Sequence, residues 1–514
     1  MNANLPRAAT LLLAVLAGGT PLAGADVCDP RDFGAVGDGV HDDTDGVQAA
    51  LDACVGGGMV HVSPGTYFIR PVRFNGNGIT VQLDGGATLQ GSPYRADYQA
   101  NANLIRADGR ADLALVGDGT IDGSGQAFWG QDPRPRLIRF RRCQRVLVQG
   151  VTLQNSPSYH LVPEATSDIT IDGVTILAPA TSPNTDGIDP GGANINISNC
   201  YIDTGDDNIA IKAGIGSHTD GVTVRDCTFL HGHGLSMGSE LNDGVENFAA
   251  QNISFDGTDN GLRIKSDRTR GGIVRNVSYD SISMNNVGRI IDIAGYYPET
   301  TIPPRFTDPP QPITETTPQY STIQISNLTS TGGGNGIPAG AFFIGVPELP
   351  ISGVVLRNVD ISAARRPFEL RNVQVQRCNV SVNSGFVIDE NVDLIDGGCG
   401  DEDYTLSVGS DSEVVVKTGV ATYELTVTPS GGFEGQVSFR VSGLPGTTTS
   451  LDPPVVDCGG TTTLTVATSD LTPSGNFPLT VTGTSGDSGR FNRMAVTTLI
   501  VLDDTALRST SRVR

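Results

Sequence analysis

Four short polar motifs recur at a similar spacing in the middle of this chain. They are NTDG at 184–187, DD at 206–207, GHG at 232–234 and RIK at 263–265. The steps from Asp186 to Asp206, then to His233 and then to Arg263 are 20, 27 and 30 residues. If each step is one turn of a repeating fold, three carboxylates, an imidazole and two cations stack on one face. Such a cluster suits acid–base cleavage of an anionic polymer.

The adjacent carboxylates Asp206 and Asp207 carry the strongest chemical signal. A single aspartate in a turn is most often a cap for exposed backbone groups. Two neighbouring carboxylates repel each other, which raises the pKa of one of them. Glycosidases use such a difference, because one carboxyl donates a proton to the leaving oxygen while another activates water. Asp186, one repeat earlier, would complete a group of three.

His233, Arg263 and Lys265 extend this cluster. His233 lies between two glycines, which would let a substrate approach the backbone, and its position in the repeat favours a hydrogen bond to the acid over a purely structural role. Arg263 and Lys265 alternate around Ile264, so both project from one face of a strand. Solvated surface charge is the ordinary explanation of such residues. Two cations near three carboxylates could instead bind a sugar carboxylate.

The composition indicates a β-rich protein with little affinity for nucleic acid. Its 514 residues include 65 glycines and one tryptophan, and charged residues make up 18% of the chain. The net charge of −22 argues against nucleic-acid binding, because no basic field would neutralise phosphates. Three of its 34 cations are lysines, and two of those lysines fall between residues 184 and 265.

Short alternating segments predict an all-β fold, a right-handed parallel β-helix. Polar residues in the middle of these segments are separated by 23, 26, 27, 26 and 24 residues; they are Gly150, Gly173, Asn199, Asp226, Asn252 and Asn276. A period in the twenties without a helical pattern is typical of a β-solenoid, with coils about 4.8 Å apart. A β-propeller is the alternative, but its blades need ~40 residues. Residues 44–54 have helical spacing and would cap the N-terminal end.

The chain divides into four predicted parts. Residues 1–25 have the basic start, apolar run and small-residue site of a secretory signal peptide. Residues 26–400 form the β-helix. Residues 401–505, rich in Thr, Val, Ser and Gly, form a small β-sandwich, and 506–514 are a disordered tail. The run TPSGGF…VSFRVSGLP resembles the immunoglobulin-like domains appended to secreted bacterial enzymes.

The cysteines predict disulfides, since export permits them and no cysteine or histidine pairing has metal-ligand spacing. Cys143 and Cys458 are left over. The predicted pairs are Cys28 with Cys54, Cys200 with Cys227, and Cys378 with Cys399.

The motifs together resemble the polygalacturonase family of inverting glycoside hydrolases. The runs NTDGIDP, TGDDNIAIK, GHGLSMGSE and GLRIKSD occur in family order, preceded by NSP at 155–157 and His160. The resemblance covers residues 27–400. It implies a right-handed parallel β-helix that cleaves α-1,4-linked galacturonan and needs no metal or other cofactor.

The resemblance also assigns catalytic roles to four residues. Asp206 would be the general acid, while Asp186 and Asp207 would hold and deprotonate the attacking water. His233 would support the acid. These assignments agree with the chemistry argued above from the residue types.

Substrate binding is implied for a second group. Arg263 and Lys265 would bind the galacturonate carboxylate at the cleavage site, and Asn184 belongs to the same motif as Asp186. A family tyrosine falls at Tyr296 or Tyr297, and the sequence leaves both open.

Three alternatives stay open. Motifs SMGSE and GLRIKSD look most like endo-acting bacterial members, yet the long segment 297–320 could close the cleft for exo cleavage. A pectate lyase would share the fold but would need calcium-binding carboxylates and an arginine base. A non-catalytic β-helix adhesin would not need the complete set of site residues. The predicted protein is secreted, extracellular and monomeric, with a pectic polysaccharide as its partner and no membrane or nucleic acid.

Overall fold

The computed structural model describes residues 27–98, 103–214, 216–397, 403–485 and 492–502. The predicted signal peptide and the C-terminal tail lie outside these ranges. The described chain has one α-helix, α1 (Thr44–Ala53), as predicted, and short 3₁₀ turns that include Glu299–Thr301. No helix in these ranges is long and apolar enough to cross a membrane.

Strands dominate the rest of the chain. The first seventeen are β1 (Val27–Cys28), β2 (Asp38–Asp42), β3 (Met59–Val62), β4 (Gly65–Ile69), β5 (Val72–Phe74), β6 (Ile79–Leu83), β7 (Ala87–Gly91), β8 (Asn103–Asp108), β9 (Ala111–Gly117), β10 (Thr120–Asp122), β11 (Arg136–Arg141), β12 (Gln144–Gln149), β13 (Thr152–Gln154), β14 (Leu161–Glu164), β15 (Thr166–Asp172), β16 (Thr175–Leu177) and β17 (Gly192–Ser198).

The next sixteen complete the solenoid. They are β18 (Tyr201–Asp203), β19 (Ile209–Ile211), β20 (Thr219–Arg225), β21 (Thr228–Leu230), β22 (Leu235–Gly238), β23 (Val245–Asp256), β24 (Asn260–Lys265), β25 (Ile273–Asn285), β26 (Arg289–Ala294), β27 (Gln319–Thr331), β28 (Gly340–Ile344), β29 (Ile351–Ile361), β30 (Phe368–Arg371), β31 (Val373–Val382), β32 (Phe386–Ile388) and β33 (Val392–Asp396).

The solenoid strands form two long parallel walls. The front sheet contains β5, β8, β11 and β14, then β19, β22, β24, β26, β28, β30 and β32. Parallel bridges from Leu161 to Ile188 and from Ile188 to Ile209 join these two blocks. The other 22 solenoid strands form the back sheet. This is the right-handed parallel β-helix that the repeats predict.

Alternating side chains and left-handed turns explain this winding. Apolar residues such as Ile138, Leu161 and Ile209 point inward and are fully buried, while their neighbours face outward. The six polar residues aligned in the repeats all have positive φ, from 53° at Asp226 to 77° at Gly150. Glycine, asparagine and aspartate tolerate this conformation best, so the repeated position is the bend between strands.

Cysteine pairing follows the prediction only in part. Cys28 and Cys54 form a disulfide. Cys378 is disulfide-bonded, and its predicted partner Cys399 lies outside the described residues.

The predicted Cys200–Cys227 disulfide is wrong, and both are buried free thiols. The strands on either side of them pair in register, so the two cysteines occupy equivalent positions on adjacent coils, at about strand spacing. A disulfide needs closer Cβ atoms that turn toward each other. Each thiol instead donates to a carbonyl two residues earlier, Ser198 or Arg225, over 3.2 Å. Cys143 and Cys458 are also free thiols.

Nine further strands form a two-sheet sandwich after the solenoid. They are β34 (Asp403–Val408), β35 (Ser412–Val416), β36 (Val420–Ser430), β37 (Gln436–Val441), β38 (Thr448–Asp452), β39 (Val455–Asp457), β40 (Thr461–Ala467), β41 (Gly475–Ser485) and β42 (Asn492–Leu502). One sheet has the order β34-β36-β40-β38 and the other β35-β42-β41-β37-β39.

The sandwich docks on the back sheet. The outward side chains of Ala114 and Leu147 join its apolar core, and Gly446 N–H donates to Asp112 over 2.8 Å. Arg225 donates through Nε to Thr480 over 3.0 Å. The sandwich therefore covers the side of the solenoid away from the front sheet.

Candidate active site

The register of the front sheet brings the predicted catalytic residues together. Ile188 pairs with Ile209, and Ile209 pairs with Leu235. Asp186, Asp207 and His233 each precede one of these residues by two positions, so they occupy one row on three successive coils. The spacing of the sequence motifs therefore reflects real stacking, at about 4.8 Å per coil.

Asp206 is the most exposed carboxylate of this group. Its side chain is 19% exposed, against 2% for Asp207. One carboxylate oxygen accepts from Asp207 N–H over 2.8 Å and lies 3.0 Å from His233 Nδ1. The other accepts from Asn184 Nδ2 over 3.3 Å. His233 Nε2 lies 3.5 Å from Asp259, so the imidazole is held between two carboxylates.

Asp207 lies at the bottom of the site among cations. Lys265 Nζ is 2.6 Å from one of its oxygens, while Ser236 Oγ donates to the other over 2.8 Å. Arg263 is 3.8 Å away. Burial favours the neutral acid, but Lys265, Arg263 and Lys212 outweigh it and lower the pKa of Asp207 to about 2. Asp207 is therefore ionised throughout the neutral range.

Asp186 is buried in a different charge environment. Burial and the nearby carboxylates of Asp189, Asp206 and Asp207 raise its pKa well above the ordinary value, although Lys212 opposes this. Its Oδ1 atom is buried and has no hydrogen-bond partner in the described chain. A buried acceptor of this kind is suited to a water molecule. Burial likewise raises the pKa of Asp189 to about 7.

The pKa of Asp206 is shifted downward, whereas a general acid that holds its proton before the reaction would need an upward shift. Burial raises the pKa of Asp206, but the hydrogen bond from His233 opposes burial, and the net effect is a lowered pKa. Burial lowers the pKa of His233, and its contact with Asp206 outweighs burial and raises it. The imidazolium and the Asp206 carboxylate thus stabilise each other.

Arg263 and Lys265 both face the site, but Arg263 is already paired. Its guanidinium contacts Glu299 and lies 3.5 Å from Asp292. Burial, together with the negative charge of Glu299, raises the pKa of Asp292 to about 7, although Arg263 opposes this.

The two candidate tyrosines differ in their surroundings. The ring of Tyr297 lies 5.7 Å from the Arg263 guanidinium and 5.6 Å from Lys265 Nζ. Tyr296 is buried under Arg268 and donates its hydroxyl hydrogen bond to Asp308 over 2.6 Å. Tyr297 is therefore the tyrosine beside the site cations.

The glycines around His233 have a different role from the expected one. A Cβ atom on Gly232 would lie 2.3 Å from Asp206 O, and one on Gly234 would lie 2.1 Å from Asn260 O. Both residues have positive φ. Neighbouring coils pack directly against these positions, so the glycines set the backbone that carries His233.

Sequence reasoning missed several residues that hold the site together. Asp189 and Lys212 lie inside the quoted motifs, three residues after Asp186 and five residues after Asp207. Each follows a buried isoleucine, Ile188 or Ile211, so alternation along the strand would have identified them as outward-facing. Arg134 donates to Asn184 over 2.6 Å. Arg134 and Glu299 come from connecting segments, for which strand periodicity gives no signal.

Three donors could in principle hold a metal ion. Ligand atoms of Asp206, Asp207 and His233 lie within 4.8 Å of one another. However, Lys265 and Arg263 already neutralise Asp207 at close range. A divalent cation at this position would meet two fixed positive charges, so the residues do not fit a metal site well.

A family model decides the membership of the chain. The model for glycosyl hydrolases family 28 matches residues 60–379. The chain belongs to glycosyl hydrolases family 28. The match to family 28 confirms the resemblance of the sequence motifs, and it ends before the sandwich.

Several sequence relatives of the chain are named polygalacturonases. A probable polygalacturonase of Arabidopsis thaliana is 36% identical over 290 residues, 53% of this chain and 62% of the relative. A polygalacturonase of Ralstonia solanacearum is 32% identical over 343 residues, 52% of this chain and 64% of the relative. The chain thus spans less than two thirds of each of these two proteins. An endo-polygalacturonase of Pectobacterium carotovorum subsp. carotovorum is 33% identical over 290 residues, 49% of this chain and 72% of the relative.

A solved structure supports the fold as well. The polygalacturonase from Erwinia carotovora ssp. carotovora is 27% identical, with a TM-score of 0.55, and the match covers 74% of this chain and 99% of that one.

Proposed function

We propose that this chain is a secreted, monomeric polygalacturonase that hydrolyses α-1,4-galacturonosyl linkages with inversion, at internal positions of the polymer. The main observation behind this proposal is that the three carboxylates differ in burial and in the charges around them. Asp206 is partly exposed, whereas Asp186 and Asp207 are buried on adjacent coils beside two cations. Membership of family 28 and the names of its relatives support the same activity.

Water activation falls to the two buried carboxylates. Asp207, with a pKa of about 2, is the ionised base and takes a proton from water. Asp186 orients that water through its unpartnered oxygen. The water oxygen forms a bond to the anomeric carbon as the glycosidic C–O bond breaks. In an inverting enzyme the acid stands on the opposite side of the sugar.

Asp206 donates its proton to the leaving glycosidic oxygen. Before substrate binds, Asp206 is charged, because His233 stabilises the carboxylate. A bound uronic acid chain would remove water from Asp206 and add negative charge beside it. Both effects raise the pKa of a carboxyl group, so substrate binding itself favours the protonated acid. Asn184 fixes the orientation of Asp206.

Carboxylate recognition falls to Arg263, Lys265 and Tyr297. The two cations offer charge-assisted hydrogen bonds to a sugar carboxylate, and the Tyr297 ring lies beside both. Methyl-esterified pectin should therefore be a poorer substrate than polygalacturonate. Exo cleavage is the alternative mode, and product sizes over time separate the two.

The deciding experiment compares Asp206→Asn with Asp203→Asn on polygalacturonate. Asp203 lies in the same strand-turn segment but pairs with His231 over 2.8 Å. The Asp206 variant should lose ~10²–10⁴-fold in kcat, while the Asp203 variant should stay near wild type. NMR of the first product anomer tests inversion. Near-normal turnover by the Asp206 variant, or product with retained configuration, contradicts the proposal.

A further inference from the structure

Three arginines stack in register on the front sheet, toward its N-terminal end. Arg73 pairs with Arg106 and Arg106 pairs with Arg139, on the adjacent parallel strands β5, β8 and β11. Arg73 and Arg106 are exposed and Arg139 is partly buried. We call these three residues the arginine ladder.

The arginine ladder belongs to the same outward row as Arg263. Arg139 pairs with Val162, and the bridges through Ile188 continue the row to Asp189 and Ala210. Ala210 then pairs with Ser236, and Ser236 with Arg263. Cations thus lie on both sides of the catalytic carboxylates along one face of the solenoid.

The charges of the arginine ladder face one another on adjacent strands. Arg139 pairs with Glu164. The backbone of Arg73 exchanges hydrogen bonds with the Gln48 side chain, but in the described ranges the guanidinium groups of Arg73 and Arg106 form no hydrogen bond or ion pair. Many other arginines are matched by carboxylates, as in Arg145 with Asp112. The chain carries 56 acidic residues against 34 Lys and Arg, so partners are plentiful. Like charges that face each other on adjacent strands destabilise a sheet.

Distance along the solenoid suits a polymer. At about 4.8 Å per coil, Arg139 lies roughly 10 Å from the Asp189 coil, Arg106 roughly 14 Å and Arg73 roughly 19 Å. A sugar residue in an extended chain is comparable in length with this spacing. Successive uronic acid carboxylates could therefore meet successive arginines, and their charge would offset the repulsion within the ladder.

We propose that the arginine ladder binds the part of an acidic polysaccharide chain that lies away from the scissile bond. This inference rests on the proposed function and specifies how the substrate is held. Because cations flank the carboxylates on both sides, the bound chain would extend in both directions from the cleavage site. That arrangement favours internal cleavage of long chains.

The test compares Arg73→Gln/Arg106→Gln with the wild type on oligogalacturonates of increasing length. The double variant should lose roughly ten- to a hundred-fold in kcat/KM on polygalacturonate, as expected for two charge-assisted contacts. Activity on the shortest cleavable oligomer should be unchanged. Arg275→Gln is the matched control, because Arg275 is exposed on the back sheet and pairs with Glu246.

A binding measurement separates this inference from the proposed function. Titration calorimetry of Asp206→Asn protein with a long oligogalacturonate should show affinity that falls when Arg73 and Arg106 are also replaced. If the wild type cleaves polygalacturonate and the double variant shows no length-dependent loss of kcat/KM, the proposal for the arginine ladder is wrong and the proposed function stands. Ladder-dependent binding without any wild-type cleavage overturns the function and supports the ladder. Preference for another polyanion over oligogalacturonate overturns the proposed occupant.

Discussion

Glu299 forms an ion pair with Arg263, the cation proposed to bind the substrate carboxylate. Burial opposes ionisation of Glu299, but Arg263 outweighs it and lowers the pKa of that carboxyl group. Glu299 begins a 3₁₀ turn two residues after Tyr297, so the loop that carries the site tyrosine also places a carboxylate on the site arginine. A protein carboxylate thus already pairs with the arginine that is proposed to bind the substrate carboxylate.

Replacing Glu299 with Gln should release Arg263 for substrate. We expect KM for polygalacturonate to fall several-fold, because the substrate no longer competes with a charge-assisted contact, while kcat changes little. Steady-state kinetics on polygalacturonate measure both. Glu348→Gln is the control, since Glu348 pairs with Arg268 instead. A higher KM in the Glu299 variant would mean that Glu299 positions Arg263 and does not compete with substrate.

Lys265→Met should shift the acidic limb of the pH–rate profile upward. Lys265 is the first of the cations that lower the pKa of Asp207 to about 2 against the effect of burial. Without it the pKa of Asp207 rises, so the base becomes protonated at a higher pH and activity is lost sooner on acidification. A kcat profile between pH 2 and 7 measures this. Lys417→Met, in the sandwich, should leave the profile unchanged; an unshifted limb in the Lys265 variant contradicts the assignment of Asp207 as base.

Asp186→Asn should abolish most activity yet stabilise the fold at neutral pH. Burial and neighbouring carboxylates raise the pKa of Asp186, so the folded state holds a proton that the unfolded chain has released above pH ~4. The free energy of unfolding therefore falls as pH rises from the ordinary aspartate pKa toward the raised pKa of folded Asp186. The asparagine side chain of the variant carries no titratable proton and avoids that loss. Thermal unfolding at pH 4 and pH 8 tests it. The gain should be larger at pH 8, and Asp203→Asn should show no comparable gain.

The sequence motifs predict that the catalytic residues stack on successive coils, because the spacing between motifs equals the length of a coil and the alternation within each motif shows which side chains face outward. Asp186, Asp207 and His233 stack as the spacing requires. The arginine ladder carries a similar signal, since Arg73, Arg106 and Arg139 are 33 residues apart. The repeat that begins at Gly150 has shorter coils, so its period does not extend to the arginine ladder. Long N-terminal coils keep the strand register while their loops lengthen.

Other features depend on distances that no pattern encodes. The position of Glu299 on Arg263 is set by the path of a loop, and loop paths are not periodic. Cys200 and Cys227 do occupy equivalent positions on adjacent coils, as expected. Equivalent positions alone do not bring two Cβ atoms to the separation and orientation that a disulfide needs. The choice between Tyr296 and Tyr297 likewise depends on the local backbone conformation, which directs one side chain toward the site cations and its neighbour toward Arg268.

The sandwich should be dispensable for chemistry but not for stability. The active site lies on the front sheet, whereas Leu147 and Ala114 of the back sheet are buried by the sandwich. A chain truncated after Gly400 should cleave short oligogalacturonates at a near-normal rate and unfold at a lower temperature. The loss follows because truncation exposes apolar surface and removes the Thr480 partner of Arg225.

Adding Leu147→Lys to the truncated chain tests the cause of that instability. Leu147 faces outward from β12, so the charged side chain can enter solvent once the sandwich is gone. The substitution should reduce aggregation of the truncated chain, measured by light scattering, whereas in the full-length protein it should destabilise the interface. A truncated chain that stays folded by circular dichroism yet fails to cleave even short oligomers would make the sandwich part of the catalytic unit.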